Sequence, residues 1–185
     1  GSNVMLEKMR RRYTREWYLD RVARIRQAMP DCAITTDIIA GFCGETEQDH
    51  QDTLDIMRRV KYDYAYMFQY SERPGTLAAR KYPDDIEPQE KTRRLNEIIA
   101  LQNELSLESN KKDVGKVLTV LVEGTSKRSD KELCGRASNN KMCVFPAELA
   151  EASEPTAPGR YHVGDYVKVE VLSCTSATLI CKIAE

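Results

Sequence analysis

The sequence predicts an α/β region followed by an all-β region, on three observations. The first is the run Thr35-Thr36-Asp37-Ile38-Ile39-Ala40-Gly41-Phe42-Cys43-Gly44-Glu45-Thr46-Glu47. β-Branched and apolar residues lead to two glycines and then to a helix start, which is one strand–turn–helix step of an α/β fold. The second is an amphipathic stretch that opens at Pro88, a favourable first helical residue, and runs to about Lys112. The third is a change at Val114-Gly115 from helix formers to β-branched residues. That change sets the domain boundary, giving domains 1–112 and 113–185.

Composition bounds the answer. At 185 residues the chain can form one good core or two small ones, and 41% hydrophobic residues suffice to fold it. Charged residues at 31% place it among soluble proteins, and no apolar run approaches the roughly 20 residues of a membrane helix. The net charge is −1, so any nucleic-acid binding must come from a local patch rather than an overall basic field. The six cysteines, Cys32, Cys43, Cys134, Cys143, Cys174 and Cys181, include no CxxC pair. They read as buried reduced thiols, and a zinc site would want closer pairs with more histidine than His50 and His162 provide.

Taken in order, Ser2-Asn3 can cap a short helix over Val4 to Met9. Thr14 caps a second, through about Met29, with Tyr18, Val22 and Ile25 on one side and Pro30-Asp31 as its stop. Between them lies Arg10-Arg11-Arg12, which is either a solvated face or an anion site. A strand from about Ala33 to Ala40 follows, then a helix from Glu47 to Val60 with Thr46 and Asp49 as a variant capping box. Its inward stripe is His50, Leu54, Met57 and Val60, with His50 as a packed, hydrogen-bonded residue. The strand Tyr64 to Tyr70 is rich in aromatics, which could stack on bases but on a strand usually fill a core. Ser71 to Glu87 reads as a loop whose Asp84-Asp85 pair is solvated.

The helix from Pro88 turns Leu95, Ile98, Ile99, Gln102 and Leu105 inward. Five short strands then follow: Lys116 to Val122, Leu133 to Ser138, Lys141 to Phe145, Tyr166 to Leu172 and Thr178 to Ile183. That number of short strands in so few residues predicts a small barrel of the nucleic-acid-binding kind. The stretch Ala147 to Gly164, with Pro155, Pro158 and Gly159, is predicted to be a mobile loop.

The run DIIAGFCGETEQD at 37–49, followed by Tyr70-Ser71-Glu72-Arg73-Pro74-Gly75-Thr76, resembles the fifth and sixth strand motifs of the radical S-adenosylmethionine (SAM) methylthiotransferases. More narrowly it is similar to the MiaB type, which modifies a prenylated adenosine beside the tRNA anticodon. The opening Gly1-Ser2-Asn3, the run MRRRYTREWYLDRV at 9–22, and Leu133-Cys134-Gly135-Arg136, Asn140-Lys141 and Val144-Phe145-Pro146 fit the same family. Two positions depart from it: His50 stands where phenylalanine is usual, and Cys43 where proline is usual.

The resemblance implies that 1–112 is the C-terminal part of an open (βα) radical SAM barrel. It implies that 113–185 is a TRAM domain, a five-stranded RNA-binding barrel. The implied cofactors are SAM and two 4Fe–4S clusters. Their cysteines, CxxxCxxC and three more, would lie upstream of Gly1, which leaves this chain inactive alone and without catalytic or metal-binding residues. Toward SAM, the family pattern puts Ser2 near the ribose and Arg11 near the carboxylate, where a planar fork of donors matches two oxygens. Ile39 and Gly41 would lie under the adenine, and Tyr70 and Ser71 would offer backbone groups to its edge. The implied RNA face is Lys127, Arg128, Arg136, Asn140 and Lys141, set against a tRNA anticodon stem-loop. The other implied partner is the N-terminal remainder of the polypeptide, in a cytoplasmic, membrane-free monomer. The alternatives are a sister methylthiotransferase, acting on threonylcarbamoyl-adenosine in tRNA or on a ribosomal protein, and a non-catalytic RNA-binding protein. Arg73-Pro74-Gly75-Thr76 argues against the ribosomal-protein branch, which tends to carry an acidic residue before its glycine.

Overall fold

The computed structural model describes residues 1–147 and 161–184, and the chain divides into two compact units, Gly1–Leu105 and Ser106–Glu185. The first unit is built on two parallel strands, β1 (Thr35–Ala40) and β2 (Tyr64–Gln69), paired from Thr35↔Tyr64 to Ala40↔Gln69. Parallel strands need a crossover, and α3 (Glu47–Val60) supplies it. Its stripe His50, Leu54, Met57 and Val60 is buried, as the spacing predicts. That stripe meets Ile38, Ala40 and Ala65 from the strands, Val22 from α2 (Arg15–Ala28), and Ile98 and Leu105 from α5 (Pro88–Lys111). Ser2 caps α1 (Asn3–Lys8), Thr14 caps α2, and Thr46 with Asp49 forms a complete capping box on α3.

Two expectations fail in this unit. The stretch Ser71 to Glu87 is not all loop, because Thr76 caps a five-residue helix, α4 (Leu77–Lys81). That helix is too short to show an apolar stripe in sequence; Ala78 holds it against a small cluster of Met5, Phe42 and Cys43. Nor are the aromatics of β2 core residues. Ala65 and Met67 face inward, while Tyr64, Tyr66 at 53% exposure and Phe68 at 54% stand on the opposite face beside Ile39.

The second unit is a closed barrel of strand order β3-β4-β5-β7-β6. Its strands are β3 (Val117–Ser126), β4 (Ser129–Ala137), β5 (Met142–Pro146), β6 (Tyr166–Cys174) and β7 (Leu179–Ile183). Every pairing is antiparallel except β5 with β7, which closes the ring. Closure leaves no edge strand among the described residues of the barrel, so its ladders are paired on both sides. Alternate residues fill the interior: Val120, Val122, Val167, Val169, Val171, Phe145, Leu179, and the thiols Cys143 and Cys181. β4 begins four residues earlier than its apolar pattern suggests, because polar Ser129 to Glu132 extend the hairpin where one face is solvated. The last turn of α5 belongs with the barrel, since the Asn110 side-chain amide donates to the Thr175 carbonyl at 2.9 Å. The loop expected from Ala147 to Gly164 lies mostly outside the described residues. Among the described residues no helix is long and apolar enough to cross a membrane.

Candidate functional site

The glycine turn between β1 and α3 sits at the C-terminal ends of the two parallel strands, the usual ligand position in open α/β sheets. Gly41 and Gly44 have φ of 73° and 67°, the left-handed region that glycine enters without strain. Yet the turn's polar groups are already taken by the chain itself. The Gly41 N–H donates to Glu45 Oε2 at 2.7 Å, and the Gly44 N–H donates to Asp85 Oδ1 at 2.6 Å. Lys8 Nζ donates to the Cys43 and Gly44 carbonyls, both at 3.4 Å. The Thr46 N–H donates to Asp49 Oδ2 at 2.9 Å, and the Ser2 hydroxyl donates to the other oxygen of the same carboxylate. Burial works against the Asp49 carboxylate, but hydrogen bonds from Ser2 and Thr46 outweigh it and hold its pKa below the usual range. The turn is a braced corner rather than an anion cradle.

Two buried cations of α5 complete the brace. Arg94 pairs with Glu45 at 2.9 Å, side chains only 6% and 5% exposed, and also donates to the Glu45 carbonyl at 2.8 Å. Lys91 Nζ binds both oxygens of Asp84, at 2.6 and 2.7 Å. Asp84 and Asp85 stay exposed, as their adjacency suggests, yet each also anchors the turn through one of these bonds. A signal for the cations exists in sequence: Lys91 and Arg94 continue, at helical spacing, the buried stripe that runs through Ile98.

The residues expected near SAM fall into two groups. Arg11 and Ile39 meet at a cavity of about 170 Å³, lined also by Met5, Met9, Tyr13 and Asp37. Ser2 and Gly41 do not line it and belong to the brace, on Asp49 and Glu45. A Cβ on Gly41 would come 2.4 Å from Lys91 Cγ, so this glycine serves the protein's own packing. Tyr70 has its N–H on the Ala40 carbonyl at 2.8 Å; its hydroxyl is buried beside Cys43, and burial pushes its pKa up to about 12. Ser71 follows it, exposed.

The expected RNA residues do not form one cluster. Lys127 and Arg128 occupy the β3–β4 turn, whereas Arg136, Asn140 and Lys141 lie at the other end of β4. Eight strand residues separate Arg128 from Arg136, or about 26 Å. Lys127 and Arg128 are exposed, with no ion-pair partner among the described residues. Arg136 is exposed and contacts Glu123 at 3.4 Å and the Asn140 carbonyl at 3.2 Å. Asn140 takes φ 62° in the β4–β5 turn. Lys141 does not join this surface. Its ammonium is 2.7 Å from Asp113 and donates to the Ser109 hydroxyl and carbonyl at 2.9 and 3.1 Å. Burial works against the Asp113 carboxylate, but bonds from Lys141 and Lys116 prevail and hold its pKa below the usual 3.8. The pair's contribution to stability is thus full above pH 3.8 and lost as pH falls through the lowered folded value.

No three cysteines converge, since Cys43 lies under the glycine turn and Cys143 and Cys181 lie inside the barrel. Among the described residues, no three His, Cys, Asp or Glu side chains are placed to share a metal. The described residues do not fit an iron–sulfur cluster.

Comparison with known proteins adds what geometry cannot. Residues 111–183 match the TRAM domain family. A Phocaeicola vulgatus protein named tRNA-2-methylthio-N(6)-dimethylallyladenosine synthase is 52% identical over 179 residues, covering 97% of this chain and 37% of that protein. A Porphyromonas gingivalis protein of the same name is 50% identical over 185 residues, all of this chain and 38% of its own length. A third, from Parabacteroides distasonis, is 51% identical over 179 residues. The chain therefore spans a little over a third of the length of the curated relatives it matches.

Proposed function

We infer that this chain, half-identical along its length to tRNA-2-methylthio-N(6)-dimethylallyladenosine synthases and carrying their TRAM domain, is a working part of such a transferase. The observation that carries this reading is a match at 50% identity that spans both units, which no isolated RNA-binding barrel would need. The bare face of β1 and β2 supports it. Parallel sheets are normally covered on both faces, yet here Ile39, Tyr64, Tyr66 and Phe68 stand uncovered. Nearly two-thirds of each relative lies outside the match, and that remainder is the partner that would cover this face.

Within the reading, Arg11 and Ile39 fit SAM: one cation for a carboxylate beside an apolar wall of Met5 and Met9. SAM, when bound, would supply the radical chemistry that activates the adenosine. The chain's own residues hold and orient. Arg11 would bind the carboxylate, Ile39 would exclude water, and the brace of Glu45, Arg94 and Asp85 would fix the strand ends. Cluster ligation would belong to the remainder of the enzyme. The barrel would bring tRNA, in the cytoplasm, through cations on its outer surface.

The test is a titration of a fluorescent anticodon stem-loop with the 185-residue chain at several salt concentrations. The cations lie in two separate groups, so few phosphates are neutralised, and the log–log slope should be about −2 to −4. Replacing Lys127 and Arg128 together by alanine should flatten it by about one to two units. Lys141→Ala should leave the slope unchanged, because that ammonium is committed to Asp113. Absence of binding at low salt would contradict the RNA reading.

A further inference from the structure

We propose that Tyr166 is a base-stacking residue on the outer face of the barrel, with Lys168 and Arg136 as the phosphate contacts beside it. The proposal rests on the reading that this barrel binds RNA, and adds where a nucleotide would lie. Tyr166 opens β6 and is 73% exposed, the highest value of any large apolar side chain among the described residues. The interior does not use it, since Val167, Val169 and Val171 fill the core from the same strand.

Its neighbours are fixed by register. Tyr166 pairs with Leu121 of β3, and Leu121 pairs on its other side with Arg136 of β4. The three form one transverse row on the outer face, because their flanking residues Val120, Val122, Gly135, Ala137 and Val167 are all buried. Strands lie about 4.8 Å apart, which sets Arg136 about 10 Å from Tyr166 across the row. Lys168, two residues along β6, shares the face opposite Thr119, is exposed, and has no ion-pair partner among the described residues. Nearby acids are engaged. Glu123 faces Arg136, Glu170 pairs with Lys182 at 2.9 Å, and Asp165 accepts from the His162 N–H at 2.7 Å. An open ring between cations is the arrangement by which small barrels hold single-stranded nucleic acid. Every base has a π-face, so the ring takes a nucleotide without reading its identity.

The experiment measures anisotropy of a labelled single-stranded RNA of about twelve nucleotides against the full chain, beside an abasic oligomer with the same number of phosphates. Tyr166→Ala should weaken RNA binding about tenfold, Tyr166→Phe should match the native chain, and neither should alter the salt slope. The abasic oligomer should not sense Tyr166→Ala. Lys168→Ala should flatten the slope by about one unit for both oligomers. Native affinity in Tyr166→Ala, or equal losses from alanine and phenylalanine, would overturn the stacking role while leaving RNA binding in place. No binding by the native chain at low salt would overturn both.

Discussion

Gly135→Ala should cost the barrel about 3 kcal/mol and shift its urea midpoint strongly downward. An added Cβ at Gly135 would lie 2.0 Å from the Leu121 carbonyl oxygen and 2.8 Å from the Leu121 carbonyl carbon and from Val120 Cγ1. The obstacle is backbone, not the end of a flexible side chain. It cannot step aside, because β3 is held on both flanks, with Leu121 in register to Arg136 on β4 and to Tyr166 on β6. In a closed ring, relief on one seam opens another. The control is Gly124→Ala in the same strand pair, where nothing lies within 4 Å of the added carbon and the midpoint should barely move. Equal midpoints for the two variants, followed by far-ultraviolet circular dichroism, would refute the close-approach explanation.

Glu45→Ala should destabilise the first unit by about 3–5 kcal/mol, the cost of leaving a buried charge without its partner. Among the described residues, Arg94 would keep only Glu90 at 2.8 Å as a close carboxylate, with Glu47 at 4.0 Å. The Gly41 N–H would lose its acceptor as well. Glu45→Gln should cost less, since an amide oxygen can still receive that N–H. The double variant Glu45→Met, Arg94→Met should recover much of the loss, because neither charge then stays buried alone. Denaturant unfolding read by the single tryptophan, Trp17 on α2, follows this unit. If Glu45→Ala unfolds at the native midpoint, the ion pair does not hold the turn.

Much of this was legible in the sequence, and the failures have a common cause. The capped and striped helix α3 and the long striped helix α5 follow from spacing alone, as does the switch to short β-branched strands. What spacing cannot show is where separate segments meet. Asp84 and Asp85 are solvated, as their adjacency suggests, but spacing does not show that they also reach Lys91 and Gly44. Lys141 looks like a free cation until the turn after α5 sets Asp113 against it. Lys127 and Arg136 look clustered until β4 carries them to opposite ends of the barrel. The β2 aromatics mislead for another reason. Alternation marks two faces, and only the rest of the sheet decides which is covered. Tyr166 carried no signal at all, because an exposed ring and a buried one look alike in a short strand.

The most direct measurement asks whether this chain can serve a methylthiotransferase. A chimera of the Porphyromonas gingivalis relative, with this chain in place of its matching segment, is expressed in cells lacking their own synthase. Nucleosides from digested tRNA are then separated and weighed by mass spectrometry. The expected result is conversion of N6-dimethylallyladenosine to its 2-methylthio derivative by the chimera, a loss of most product on Arg11→Ala, and none from the 185-residue chain alone. Unmodified N6-dimethylallyladenosine in cells that contain soluble chimera, or product made by the chain alone, would contradict it.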